Sequence, residues 1–339
     1  MYRLAIGAAS LVLGEARDEA VTAVREHRLD SELDARLRYR SLAVSPHRSG
    51  PELAAAAAGV ALQEAGWDSA SLDLILHAWS YYQGHDFWSP AHFVAREVGA
   101  PRAEAIGIAE LCNAGVTALS VAATRLAADE RVRRCLVTTG DRFAEPAFDR
   151  WASDGDSGYG DAGTAVLLGR GQGALGLVAI ETETNAEFEA WHRGADSFSA
   201  TPGWHRDAID VRTQCAAFLT NERADRFHRW HATAIERVVK RALDAICSDA
   251  TPDTLSALQC VVLPRIGAKA LDLNFRGALA GMGVRTVIDP GRDTGHLGAG
   301  DTAAALAMLA DGGLDPGQYA LVLAVGGGFT VSCVAVCRA

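Results

Sequence analysis

Short apolar runs alternate along the chain with longer, alanine-rich segments whose apolar residues recur at helical spacing. The runs are apolar at almost every position, which is typical of strands buried on both faces of a sheet. The alternation of these two patterns predicts a layered α/β protein. At the start of the chain, residues 4–14 predict a strand rather than a signal peptide, and the charged segment 15–40 predicts a helix.

The predicted elements occur twice in the same order. In the first half they are helix 51–65, strand 72–78, helix 91–98, strand 105–109, helix 112–128 and strands 134–139 and 163–168. In the second half they are strand 175–182, helix 221–247, strand 258–263, helix 271–279, strand 285–288, helix 298–309 and strands 319–325 and 329–337. We therefore expect two duplicated halves, 1–170 and 171–339, related by a pseudo-twofold axis that brings the entrances of helices 112–128 and 298–309 together.

Composition narrows the class of protein. A chain of 339 residues with 49% hydrophobic and 22% charged residues is typical of a soluble globular protein with a deep core. The net charge of −10 argues against a nucleic-acid partner, since phosphate binding needs clustered lysine and arginine. The seven cysteines have no metal-ligand spacing, so we expect no metal site and a reducing, cytoplasmic location. We also expect no membrane span, which takes about 18 apolar residues.

Cys112 lies between a predicted strand and a predicted helix, in the sequence ELCNAG. The unpaired N–H groups and the positive dipole end of a helix N-terminus favour the thiolate form of a cysteine, which is the nucleophile. A free cysteine is also a common small core residue, and Cys112 taken alone favours that reading.

His296 opens the equivalent helix of the second half, in the sequence DTGHLGAGD, with Asp301 one turn further on. A histidine beside a carboxylate can act as a base whose tautomer is fixed by the acid. A helix cap at His296 and a first-turn acid at Asp301 are the structural alternatives.

Three other segments carry candidate chemistry. The glycines 326–328 form a predicted hairpin turn whose N–H groups can approach a ligand closely. The loop 79–88 is rich in aromatic residues, among them Trp79 and Tyr82, and fits an acceptor pocket, a dimer interface or a cover for the core. The long connection 183–221 predicts a lid or cap on the substrate side.

Four landmarks together resemble the type III ketoacyl synthases of the thiolase superfamily, nearly end to end. They are CNAG at 112–115 for the nucleophile elbow, YGDAGTA at 159–165 for a strand entrance, Gly-His at 295–296 for Gly-Asn, and GGGFT at 326–330 for the C-terminal turn. The resemblance implies a five-layered α-β-α-β-α fold, usually dimeric. It also implies that Cys112 accepts the acyl group and that the N–H groups of Cys112 and Gly327 form an oxyanion hole.

One landmark departs from this family. The ketosynthases have a histidine in an HQAN motif, whereas this chain reads LPRIGAK, with Arg265 at the histidine position and His296 at the asparagine position. Without two neutral donors for an enolate oxygen, decarboxylation of a malonyl group loses its electrostatic support. The departure is similar to an acyltransferase branch of the family, in which a Cys-His-Asp set, here Cys112, His296 and Asp301, moves an acyl group from a thioester to an alcohol or amine.

The sequence therefore predicts an acyltransferase of natural-product biosynthesis with no permanently bound cofactor. Its acyl donor is expected to be acyl-coenzyme A or a phosphopantetheinyl acyl carrier protein, and its acceptor a small molecule. Arg265, Trp79 and Tyr82 are the predicted substrate contacts, and a homodimer is the predicted assembly. A starter-unit ketosynthase that forms a C–C bond with His296 alone, and a non-catalytic subunit of a heterodimer, are the alternatives.

Overall fold

The computed structural model describes residues 4–171, 173–201, 205–249 and 257–338. The strands are β1 (Leu4–Leu13), β2 (Ala16–Glu19), β3 (Ser41–Val44), β4 (Leu74–Trp79), β5 (Glu104–Ala109), β6 (Arg134–Asp141), β7 (Ala162–Arg170), β8 (Leu175–Thr184), β9 (Leu258–Val262), β10 (Val287–Ile288), β11 (Tyr319–Gly326) and β12 (Thr330–Cys337). The α-helices are α1 (Ala20–Arg25), α2 (Ser31–Leu37), α3 (Gly50–Ala65), α4 (Pro90–Glu97), α5 (Ala114–Ala128), α6 (Val211–Phe218), α7 (Asn221–Asp249), α8 (Ala268–Leu271), α9 (Gly277–Gly281) and α10 (Asp301–Met308). A π-helical turn, Asp272–Arg276, joins α8 to α9.

The main sheet has ten strands, in the order β10-β9-β11-β12-β8-β1-β7-β6-β4-β5. From its two outer edges inward, the strands follow the same order in both halves: β5, β4, β6, β7, β1 and β10, β9, β11, β12, β8. The halves join where Leu4–Ile6 pairs antiparallel with Leu175–Leu177. The repeated order is what a duplication predicts, and the expected boundary at residue 170 falls between β7 and β8.

Side chains of the central strands enter different cores because successive residues of a strand point to opposite faces. In β4, Leu74 and Leu76 pack in a central core with α5 and α10, whereas Ile75 packs in an outer core with α3 and α4. In β11, Val322 enters the same central core, and Leu321 packs on the other side with α7 to α9. The layers are therefore helix, sheet, helix, sheet, helix, as the sequence predicts.

The two central helices meet where each begins. A Cβ atom placed on Gly115, in the first turn of α5, would lie 2.3 Å from the carbonyl oxygen of Ala299. Ala299 belongs to the 3₁₀ turn Gly298–Gly300 that leads into α10. The absence of a side chain at Gly115 thus allows the two helix entrances to approach each other.

The segment 15–40 is not one helix, contrary to the sequence expectation. Its first part is β2, which pairs with β3 and so depends on residues further along the chain. Helix α1 ends before His27, which has a φ of 59°, and α2 starts anew because the Asp30 side chain caps it by accepting from the N–H of Leu33. Neither the strand pairing nor the helix cap changes the spacing of apolar residues, so the hydrophobic pattern of the sequence does not reveal them.

Among the described residues, Leu111–Ala128 is the one helical segment long and apolar enough to meet the criteria of a membrane span. The sequence analysis expected none. In the structure 44% of this segment is buried, and Ala118, Leu119 and Ala122 lie in the central core between the two halves of the ten-stranded sheet. Packing inside the protein accounts for its apolar character.

Candidate active site

Cys112 lies in a tight turn between β5 and α5. The turn Leu111–Asn113 is 3₁₀ helical and continues directly into α5, so Cys112 lies at the N-terminal end of this helix, where the first N–H groups have no intrahelical partner. Leu111 adopts a left-handed conformation with a φ of 46°, which costs a non-glycine residue about 1–2 kcal/mol. Cys112 is half-buried, in contrast to the fully buried cysteines of the strands. The fold thus presents its sulfur to a cavity.

His296 and Asp301 form a buried pair. The Nδ1 atom of His296 lies 2.8 Å from Oδ2 of Asp301, and both side chains are almost completely enclosed. The same carboxylate accepts from the backbone N–H of Leu297 at 2.9 Å and of Arg265 at 2.7 Å. A carboxylate only accepts, so Nδ1 carries a hydrogen and Nε2 is left for another partner.

The protonation of His296 depends on both of its neighbours. Burial alone would lower the pKa of His296, but the charge of Asp301 and then that of Cys112, together with hydrogen bonds to both, hold this pKa well above its usual range. For Asp301, burial is outweighed by His296 and Arg265, and the pKa of the carboxyl is lowered. These shifts favour a protonated His296 with an ionised Asp301 behind it.

The glycine turn after β11 packs against the Cys112 turn. A Cβ atom on Gly326 would lie 2.7 Å from the backbone nitrogen of Asn113, and one on Gly327 would lie 2.8 Å from a methyl carbon of Leu111. The backbone at Gly327 can reach this position only without a side chain. The arrangement brings together the two residues of the expected oxyanion hole, Cys112 and Gly327.

Cys112 and His296 line the same cavity, which has a volume of about 100 Å³. Its other walls combine aromatic and polar side chains. They include Asp154, Asp156, Tyr159, Trp191, His192, Phe227, His231, Asn274, Phe275 and Phe329.

A larger cavity of about 600 Å³ adjoins this one and shares Asp154, Asp156 and Trp191 with it. Arg36 lines the larger cavity and pairs with Asp156 at 3.0 Å. Residues 185–201 and 205–220, here named the cap, contribute walls to both cavities. The cap is tied to the first half by a hydrogen bond of 2.8 Å from the N–H of Val211 to Ser153. Its position agrees with the expectation of a lid on the substrate side.

Arg265, an expected substrate contact, is not among the residues that line the Cys112 cavity. Its side chain is 5% exposed and lies behind Asp301, with Nε 3.9 Å from Oδ1 of that residue. Its Nη1 donates to the carbonyl of Pro290 at 2.5 Å and to Thr294 at 3.1 Å. The guanidinium forms its hydrogen bonds inside the protein, and its charge helps to lower the pKa of Asp301.

Trp79 and Tyr82 also lie away from the Cys112 cavity. They line a separate surface groove, in which Tyr82 is 52% exposed and Trp79 stacks on His77 with ring centres 5.7 Å apart. The loop is held by the Asp141 carboxylate, which accepts from the N–H groups of Ser80 and Tyr81. Neither Trp79 nor Tyr82 is therefore among the residues that line the cavity of Cys112.

Several residues of the cavity wall have no distinctive signal in the sequence. Asp154 and Asp156 lie in a polar loop with no motif, and Asp154 accepts from the Tyr159 hydroxyl at 2.8 Å. His231 lies on the buried face of α7, four residues after Phe227, a spacing that in sequence indicates only an amphipathic helix. Over the described residues, no group of three or more His, Cys, Asp or Glu side chains is placed to hold a metal ion.

A family model described as 3-oxoacyl-[acyl-carrier-protein (ACP)] synthase III matches residues 106–186, which include Cys112. The β-ketoacyl-[acyl-carrier-protein] synthase III of Rhodospirillum rubrum is 31% identical over 293 residues, which cover 82% of this chain and 81% of that protein. The structure of the acyltransferase ChlB3 matches with a TM-score of 0.87 and 28% identity, over 99% of this chain and 98% of the other.

The structure of 3-oxoacyl-[acyl-carrier-protein] synthase III from Aquifex aeolicus VF5 matches with a TM-score of 0.77 and 18% identity, over 99% of this chain and all (100%) of the other. The predicted thiolase-like fold is thereby confirmed. From the Rhodospirillum relative, which spans most of both proteins, we conclude that this chain belongs to the β-ketoacyl-[acyl-carrier-protein] synthase III family.

Proposed function

We propose that this protein is an acyltransferase that moves an acyl group from a thioester, through Cys112, to a hydroxyl or amine acceptor. The observation that carries the proposal is the buried His296–Asp301 pair in the cavity of Cys112. A histidine held by a carboxylate is suited to deprotonate an acceptor, whereas condensation of a malonyl group needs neutral donors to an enolate. The similarity to the acyltransferase ChlB3 over the whole chain supports the same reading.

In the first step the Cys112 thiolate attacks the thioester carbonyl of the donor. The negative charge passes to the carbonyl oxygen, and the N–H groups of Cys112 and Gly327 are the proposed donors that stabilise it. The C–S bond of the donor then breaks, and the His296 imidazolium gives its proton to the departing thiol. This step leaves an acyl group on Cys112 and a neutral His296.

In the second step the acceptor attacks the acyl group on Cys112. Neutral His296 takes the proton of the hydroxyl or amine through Nε2, while Asp301 stabilises the imidazolium that forms. The bond from the acyl carbon to Cys112 breaks and restores the thiolate. The site thus returns to its resting charge, and a general base of this kind contributes about 10²–10⁴-fold to the rate.

The donor is proposed to be acyl-coenzyme A or an acyl carrier protein, whose pantetheine arm would enter through the larger cavity lined by Arg36. The acceptor is proposed to be a small molecule of natural-product biosynthesis, and the assembly a cytoplasmic homodimer. No permanently bound cofactor is part of the proposed mechanism.

The burial of Arg265 argues against a condensing function. Its guanidinium donates hydrogen bonds to the carbonyl of Pro290 and to Thr294, and it does not line the Cys112 cavity, in which an enolate would form. Decarboxylative condensation nevertheless remains the second candidate because the Rhodospirillum relative is named a β-ketoacyl-[acyl-carrier-protein] synthase III. Malonyl-dependent release of carbon dioxide separates the two functions, and we expect none.

The proposed function is tested by measuring intact-protein mass after mixing with a panel of acyl thioesters. We expect the wild-type protein to form an acyl adduct that disappears when an acceptor is added. The His296→Ala variant should keep its adduct, because the transfer step lacks its base, and Cys112→Ala should form none. Cys247→Ala, which removes an exposed cysteine outside the cavity, serves as the matched control and should behave as wild type. Equal labelling of Cys112→Ala and wild type would rule the mechanism out.

A further inference from the structure

Two further imidazoles line the Cys112 cavity and have no role in the proposed mechanism. His231 of α7 is 2% exposed, and its Nδ1 atom has no hydrogen-bond partner. His192 of the cap has a buried Nδ1 atom that is also unpaired. Buried polar atoms in folded proteins are nearly always paired, so two such atoms in one cavity indicate that a ligand supplies the partner.

The two imidazoles are connected by aromatic rings. His192 lies next to the glycine turn, since a Cβ atom on Gly327 would come within 2.4 Å of its ring. The ring of His192 stacks on Phe329 with centres 5.8 Å apart, Phe329 contacts Phe227 at 4.9 Å, and Phe227 contacts His231 at 5.4 Å. One unpaired imidazole thus lies near the thioester end of the cavity, and the other lies across two aromatic rings from it.

Both imidazoles are neutral at physiological pH. Burial, together with the nearby His228, lowers the pKa of His231 to about 4. Burial also lowers the pKa of His192, against the opposing charge of Asp154. A neutral imidazole has one donor and one acceptor nitrogen, so it matches an uncharged hydroxyl or carbonyl better than a carboxylate.

The volume of the cavity limits what can bind there. Its volume of about 100 Å³ is about one sixth of the 600 Å³ of the adjoining cavity. Because Cys112 lines this small cavity and the larger one adjoins it on the side of the cap, the small one suits the acyl group and the larger one the donor arm and the acceptor.

We propose that the acyl group carried by Cys112 is short and bears a hydroxyl or carbonyl substituent that hydrogen-bonds to His231, with His192 as a second partner beside Gly327. This inference rests on the proposed function. It concerns substrate choice: an unsubstituted alkyl chain would leave both imidazoles unpaired in an apolar site, and a site built to bond a hydroxyl rejects the analogue that lacks it.

The test compares butyryl thioesters with 2-, 3- and 4-hydroxybutyryl thioesters, each offered on coenzyme A and on a phosphopantetheinyl carrier protein. The rate of Cys112 acylation is followed by intact-protein mass in the absence of any acceptor. We expect at least one hydroxylated donor to acylate the wild-type protein tenfold or more faster than butyryl. A butyryl rate equal to or above all three hydroxylated rates overturns the inference.

Variants assign the preference to His231. In His231→Phe, which keeps an aromatic ring, the preference should fall to nearly one, and His231→Asn, which keeps a polar atom near Nδ1, should retain part of it. His47→Phe, at an exposed position, is the matched control and should keep the full preference. A cooperative thermal transition like that of the wild-type protein shows that each variant is folded, and alkylation by iodoacetamide shows that its Cys112 is reactive. An unchanged preference in both His231→Phe and His192→Phe contradicts the assignment.

The same data distinguish this inference from the function on which it rests. Acylation of Cys112 at equal rates by all donors removes the substrate preference and leaves the acyltransferase mechanism in place. A protein whose Cys112 is alkylated normally but is acylated by no thioester overturns both. A third outcome is that hydroxylated donors are preferred only in the transfer step, when the acceptor is present. The imidazoles would then bind the acceptor, and the inference about the acyl group would be overturned.

Discussion

At the scale of single residues, the proposed mechanism depends on charges that change during the reaction. His296 is held between Asp301, whose charge is constant, and Cys112, whose charge disappears on acylation. The pKa of His296 should therefore be lower in the acyl-enzyme than in the free enzyme. The imidazole that begins as an acid is thereby ready to act as a base in the second step.

A pH profile tests this change. The neutral form of His296 is the base, so transfer from a preformed acyl-enzyme should rise with pH through the pKa that His296 has in that state. This pKa should lie below the pKa of His296 in the free enzyme, since the charge of Cys112 raises only the latter. Single-turnover transfer rates and an NMR titration of His296 give the two values. An equal or higher value in the acyl-enzyme contradicts the charge argument.

The carboxylate of Asp301 can be tested with Asp301→Asn, which preserves the shape of the side chain. We expect the pKa of His296 to fall and the transfer rate to drop by about 10²–10⁴-fold, because the imidazolium formed in the transfer step loses its stabilising charge. Asp293→Asn removes an exposed carboxylate that pairs with Arg40 and should leave both quantities unchanged. Equal effects of the two substitutions would show that Asp301 has no special role.

At the scale of elements, the close approach of the two helix entrances determines where Cys112 and His296 lie. Gly115→Ala adds a methyl group 2.3 Å from the Ala299 carbonyl and should separate α5 from the turn before α10. We expect a loss of about 1–3 kcal/mol in the free energy of unfolding, measured with urea, and slower acylation of Cys112. Gly59→Ala in α3, with open space around it, should instead be neutral or stabilising by up to about 1 kcal/mol. Equal effects at both positions would contradict the packing argument.

The order of the elements was accessible from the sequence because buried strands and alanine-rich helices have different hydrophobic patterns. The motifs ELCNAG and DTGHLGAGD also indicated Cys112, His296 and Asp301, and the repeated order of the elements predicted that the two motifs meet. The division of 15–40 into β2, α1 and α2 was not accessible, because it depends on pairing with β3 and on the cap at Asp30. The sequence also does not reveal that the Arg265 side chain donates to Pro290 and stays out of the cavity, because this orientation depends on tertiary packing.

At the scale of the whole molecule, the segments 1–170 and 171–339 show the same strand order and contribute side chains to one central core. The central core combines Leu76 and Val137 of the first half with Val262 and Val322 of the second. Either half alone would expose its side of that core to water. We therefore expect the fragments 1–170 and 171–339 to show no cooperative thermal transition when produced separately, and to regain one when produced together. A cooperative transition in an isolated fragment, measured by calorimetry, would make the halves independent domains.

The division of the site between two repeats has a consequence for how such a site can arise. Two identical copies related by an exact twofold axis would present the same residue at both helix entrances, so a thiolate would face a thiolate or an imidazole an imidazole. Cys112 and His296 differ because both copies belong to one polypeptide, where each entrance can be substituted without changing the other. Within one polypeptide, a framework of repeated strand order can therefore hold a proton donor and a nucleophile that differ from each other.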